Sequence, residues 1–163
     1  MNKDEIWERL KRDDGKVYGQ SMLDMFLKTT EKLERKHWDE LDQKQRRLVN
    51  PEVRLNFAST VQEAERAVKD GARDFDGALY GAALGGHPEI CEWAVGKGAR
   101  NFDGALRNAA EGGHLEICEW LVGKGGRNFD GALYGAAIGG HLEICEWAVG
   151  KGANYFDRAL YHA

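Results

Sequence analysis

The chain has 163 residues, is 42% hydrophobic and 31% charged, and so suits a soluble domain with a core of its own. Its formal net charge of −4 argues against a nucleic-acid-binding face, which needs a basic stripe. No apolar run approaches membrane-spanning length, and no secretory signal opens the chain, because charged residues interrupt Met1 to Arg9 throughout. The expected location is therefore cytoplasmic, and an odd number of cysteines, three, fits that reducing compartment.

Residues 1–50 read as a helical extension. Asn2 with Glu5 can form a capping box for a short helix carrying Ile6, Trp7 and Leu10. Gly15 and Gly19 interrupt, and Ser21 with Asp24 offers a second box. From there to Val49 neither Gly nor Pro occurs. Leu23, Phe26, Leu27, Leu33, Trp38, Leu41 and Leu48 fall at roughly helical spacing, in one long helix or two broken near Thr29-Thr30. The segment holds 12 basic and 11 acidic residues, the remainder 11 and 16, so the acidity lies beyond residue 50. These helices either shield the core of the repeats beyond residue 50 or pair with a partner or a second copy.

Periodic glycines then decide the fold. Gly71–Lys97 reads GARDFDGALYGAALGGHPEICEWAVGK, Gly98–Lys124 reads GARNFDGALRNAAEGGHLEICEWLVGK, and Gly125–Lys151 reads GGRNFDGALYGAAIGGHLEICEWAVGK. The three blocks align without gaps at a period of 27 residues, and a fourth starts at Gly152 and stops with the chain at Ala163. A period in this range means a solenoid or array. Each block predicts two short helices. The first starts after Asp76, Asp103 or Asp130, whose carboxylate can cap free backbone NH groups. It carries Leu79, Ala82, Ala83 and their equivalents, small enough for close helix approach, and ends at Gly86, Gly113 or Gly140. The second helix has Pro88 at its first position in one copy, repeats Ile90, Cys91, Ala94 and Val95 at helical spacing, and closes at Gly98, Gly125 or Gly152. One such hairpin cannot bury its apolar face, so copies must stack.

The run ALYGAAxGGHLEICEWxVGKGA resembles the core of the ankyrin repeat, over residues 71 to 163. The resemblance implies an all-α, ankyrin-type solenoid. The usual repeat has about 33 residues, and these are shorter where the family carries its projecting β-hairpin finger. A finger does not fit, which leaves the concave helical face for binding. Gly77-Ala78 replaces the usual Thr-Pro, with Asp76 as substitute cap, and Tyr80, Arg107 or Tyr134 replaces the usual His. Extended upstream, the resemblance makes 51–70 a degenerate capping repeat, Thr60 to Ala72 matching a second helix. At the far end, a stack closing on a single helix exposes the Leu160 face, which either more chain or a contact would cover.

Three features invite a chemical reading. His87 with Cys91, His114 with Cys118 and His141 with Cys145 sit four apart, a metal-ligand spacing. Each pair gives only two ligands, and adjacent helices pack about 8–10 Å apart, too far for a shared zinc and beyond the roughly 7 Å reach of a disulfide. The resemblance implies instead that the His bonds the connecting loop and the Cys fills a buried Val position. The Gly-Gly-His steps lack the Lys and Ser/Thr of a phosphate loop. Trp93, Trp120 and Trp147 repeat where the resemblance places a core Leu, which implies packing between repeats. No catalytic residue, metal site or cofactor is expected, and nothing in residues 1–50 supports an enzyme.

The copies differ most at Tyr80/Arg107/Tyr134, Gly81/Asn108/Gly135 and Leu84/Glu111/Ile138. In an ankyrin stack the second and third sets should line the concave surface, with the first beside it. Together they are the candidate partner-binding residues, a mixed apolar and charged patch of the kind protein interfaces use. The expected function is a non-catalytic module that binds a protein. Arrays of this kind are frequent in host-manipulating proteins of large viruses and intracellular bacteria, which implies a host target by resemblance. The alternative is a self-assembling structural protein that uses its N-terminal helices or open C-terminal end.

Overall fold

The computed structural model describes residues 51–154; the helices expected over 1–50 and the fourth copy from 155 onward lie outside the described residues. Eight helices follow one another: α1 (Pro51–Asn56), α2 (Val61–Lys69), α3 (Phe75–Gly85), α4 (Pro88–Lys97), α5 (Phe102–Gly112), α6 (Leu115–Lys124), α7 (Phe129–Gly139) and α8 (Leu142–Gly150). No strand occurs among the described residues. The first helices pack side by side, α3 between α1 and α5, and α7 on α5, while α4, α6 and α8 each pack on the first helix of their own copy.

The first helices begin two residues earlier than the sequence suggests. Their N-caps are Asp74, Asn101 and Asn128, whose side chains accept from the NH of Gly77 (2.8 Å), Gly104 (3.0 Å) and Gly131 (2.8 Å). Asp76, Asp103 and Asp130 thus sit inside the first turn, not at the cap. Asn and Asp cap equally well, so either set could have served, and the inner carboxylates are taken up elsewhere. The C-terminal signals behave as the glycine pattern implies. Gly86, Gly113 and Gly140 turn left-handed with φ of 76°, 82° and 76°, and the next NH, from His87, His114 or His141, reaches back to the helix at 2.8–2.9 Å. That bond satisfies an otherwise orphaned carbonyl. Pro88 opens α4 as expected.

Alanine dominates the core, with Leu55, Leu79, Ile90, Cys91, Leu106, Cys118 and Leu121 as its largest fully buried side chains. Among the described residues no polar or charged residue is buried as a whole, but the Arg54 Nε, Asn56 Oδ1, Trp93 Nε1 and Trp147 Nε1 atoms are buried. Small residues let the first helices approach until backbone meets backbone. A Cβ on Gly135 would overlap the Arg107 carbonyl oxygen, and one on Gly81 the Asn56 carbonyl oxygen. The matching residue of the middle copy is Asn108, and α5 packs more extensively on α7 than on α3.

Candidate partner-binding face

Three repeated devices fix the spacing of the first helices. Asp76 Oδ1 accepts from the backbone NH of Arg100 (2.8 Å) and Asn101 (2.9 Å), so each carboxylate holds the loop of the next copy. Asp103 does the same for Arg127 (2.7 Å) and Asn128 (3.0 Å), and Asp130 for Asn154 (2.8 Å). Glu52 of α1 takes that role for Arg73 and Asp74 at 2.8 and 3.0 Å. The second device is the histidine. His114 Nε2 donates to the Leu84 carbonyl and His141 Nε2 to the Glu111 carbonyl, both at 3.1 Å. A carbonyl only accepts, so Nε2 carries the proton. The partner is the end of the preceding first helix, where the resemblance implied the connecting loop. The rings lie against Gly86 and Gly113, leaving no space for a Cβ. Third, Arg73, Arg100 and Arg127 place Nη1 on the Val68, Val95 and Val122 carbonyls at 2.8, 2.9 and 2.7 Å. Each cation caps the C-terminal end of a second helix, where the dipole favours it.

On this frame Tyr80, Arg107 and Tyr134 occupy matching positions of α3, α5 and α7. The half-buried Tyr80 ring packs onto Gly104 of the next helix, where a Cβ would come within 2.7 Å of it. Burial raises its phenol pKa, the carboxylates of Asp76 and then Asp74 add to the rise, and a hydrogen bond with Asn101 opposes it. The exposed Arg107 carries its guanidinium 4.8 Å from the centre of the Tyr134 ring, a cation–π contact across copies. Leu84, Glu111 and Ile138 are half-buried. Asn108 donates from Nδ2 to the Gly104 carbonyl of its own helix at 2.9 Å. Gly81 and Gly135 lie at the backbone contacts between helices, and Gly135 is buried. The nine candidates therefore divide: seven offer side chains along consecutive first helices, and two glycines set how near those helices come.

The second helices carry the tryptophans. Trp93 meets Phe75 edge-on with ring centres 5.9 Å apart, and Trp147 meets Phe129 at 6.0 Å. Each Phe opens the first helix of the same copy, so this aromatic packing lies within a repeat and not, as expected, between repeats. Lys97, Lys124 and Lys151 stand 5.7, 5.4 and 6.0 Å over the Trp rings of their own helices. Cys91 and Cys118 are buried, and burial pushes both thiols up to about 12, which disfavours the reactive thiolate. Among the described residues, no group of three or more His, Cys, Asp or Glu side chains could hold a metal ion.

The family model of ankyrin repeats, in three copies, matches residues 69–159, more than half of the chain. The chain belongs to the ankyrin-repeat family. A comparison with curated proteins finds no match. Membership gives the ankyrin array its general character, a protein-interaction module of a typically non-catalytic kind. No helix among the described residues is long and apolar enough to cross a membrane.

Sequence reasoning missed two of the three devices in this ankyrin array. The Asp clasp was visible only as a recurring acidic residue, and a cap explained it equally well. The recurring Arg73, Arg100 and Arg127 were a usable signal, since a cation just past a helix end complements its dipole.

Proposed function

We propose that the array binds a partner protein through the concave face made by α3, α5 and α7, without performing chemistry. One observation carries the reading. Copies that agree almost everywhere else differ at Tyr80/Arg107/Tyr134 and Leu84/Glu111/Ile138, side chains mounted at matching heights on helices of fixed spacing. A partner sees a rigid row of two aromatic rings, a guanidinium, two aliphatic groups and a carboxylate, and aromatic and Arg side chains dominate protein interfaces energetically. Gly81 and Gly135 contribute by setting how near those helices come, and Asn108 adds an amide to the row. The pair α1 and α2 serves as the N-terminal cap, and a cytoplasmic location accords with the three free thiols. A host protein as the partner rests on resemblance to such arrays alone.

The test is affinity capture from the source cell with wild type, with Arg107→Glu/Ile138→Ala, and with Glu89→Gln/Glu119→Gln/Glu146→Gln on the second helices. A protein retained by the first and third baits and lost from the second supports the face. A set unchanged by the face substitutions excludes it.

A second reading has its own observation. Leu142 is 71% exposed and Val149 40% on α8, large apolar side chains that a second copy of the chain could cover. Light scattering over a hundredfold range of concentration decides it, a constant monomer mass removing self-association.

A further inference from the structure

The second helices carry a feature that the first-helix face does not use. A groove of about 700 Å³ runs along the N-terminal parts of α4 and α6 and reaches α8. Pro88, Leu115 and Trp120 supply its apolar lining, and Glu92, Glu116 and Glu143 bring one carboxylate from each of the three helices. Glu116 and Glu143 stand at the same position of successive copies. None of the three carboxylates has a hydrogen-bond or ion-pair partner among the described residues. The groove's histidine, His114, is spent on the Leu84 carbonyl, and the Trp120 ring already carries Lys124, so the ring serves as an apolar wall.

The geometry points to this groove as a docking site for an extended basic segment of a partner protein, with Lys or Arg side chains about three residues apart. Charge complementarity selects the occupant: the carboxylates have no cation of their own, and an acidic or nucleic-acid ligand would meet repulsion. Spacing selects its register. Each second helix packs on the first helix of its own copy, so neighbouring second helices stand no closer than packed helices do, about 8–10 Å, and an extended polyproline-type chain rises about 3.1 Å per residue with three residues per turn. Every third side chain therefore returns to the same side after about 9 Å, one per helix of the stack. The apolar lining covers the stems of those side chains, which bury their methylenes while the head reaches a carboxylate.

The probe is a fluorescein-labelled twelve-residue peptide with arginine at every third position and alanine between, read by fluorescence anisotropy on the full chain. The wild type should bind it, with affinity falling as salt rises. Three surface charge pairs, each near the middle of their usual worth, give a loss on the order of tenfold for Glu92→Gln/Glu116→Gln/Glu143→Gln. Glu89→Gln/Glu119→Gln/Glu146→Gln removes the same charge outside the groove and should change affinity less than about threefold. Circular dichroism checks that both variants stay folded. A peptide with the same number of arginines at every second position should bind more weakly. No binding by the wild type overturns the proposal, and so does an equal loss in the two triple variants, which would mean attraction to an acidic protein as a whole. Equal binding of the two arginine spacings overturns the register.

Discussion

Gly135→Ala and Gly123→Ala are the same substitution in helices of one array and should move stability in opposite directions. Alanine in a helix interior is favoured over glycine by up to about 1 kcal/mol. At Gly123, near the end of α6, a new methyl meets nothing within 4 Å, so the gain should appear, reduced by fraying to about 0.5 kcal/mol. At Gly135 the methyl would overlap the Arg107 carbonyl oxygen, a backbone atom that cannot swing aside. Helix α7 must withdraw from α5, and forced repacking of a close contact typically costs about 1–3 kcal/mol. The overlap calls for the upper part of that range, which leaves about 2 kcal/mol of net destabilisation. The two variants should therefore differ by about 2.5 kcal/mol, on the order of 1 M in urea midpoint. Urea unfolding followed by both far-UV circular dichroism and tryptophan fluorescence reads this, the second probe checking that the array unfolds as one unit. A Gly135→Ala protein as stable as wild type, or more stable, would refute the backbone-to-backbone packing of α5 and α7.

Asp103→Ala removes the acceptor of two backbone NH groups of the next copy. These are exposed and can turn to water, so the loss should be about 1–2 kcal/mol in urea unfolding. Asp103→Asn keeps an oxygen and should lose about half of that, and a loss below about 0.3 kcal/mol for both would remove the clasp. Alkali should weaken the fold through Cys91 and Cys118. Their folded values near 12 lie above the ordinary 9.0, so the unfolded thiols ionise first. The stabilisation is whole below about pH 9 and is lost between there and 12, by at most about 1.4 kcal/mol per pH unit for each thiol. Comparing pH 8 with pH 10 in wild type and Cys91→Ala/Cys118→Ala tests it, since the double variant should show a shallower fall. In a native thiol-labelling assay Cys145, half-buried, should react first, and Cys145→Ala should abolish the fast phase. A fast phase that survives contradicts the burial of Cys91 and Cys118.

The helix pattern was readable because glycine marks both kinds of helix end in this chain. Gly86 and Gly98 close their helices in left-handed geometry, and their spacing shows in the letters alone. Helix starts were less legible: Asp76 and Asp74 are both good caps two residues apart, and only the position of the following loop decides between them. The histidines read correctly as structural, but their acceptor did not, because the Leu84 carbonyl belongs to the backbone of another copy, thirty residues away. The candidate face was legible as variation among copies. Variation alone did not separate Gly135, which fixes helix approach, from Arg107, which reaches solvent. The groove between second helices stayed hidden, since Glu92, Glu116 and Glu143 converge only once the copies stack.

Binding through the first helices is tested most directly by photo-crosslinking in the source cell, with a photoreactive residue placed in turn at Leu84, Glu111, Ile138 and Glu146. The three first-helix positions should trap one common protein, and Glu146 should trap none of it. A discrete partner trapped from Glu146, with nothing from the other three, would contradict the account.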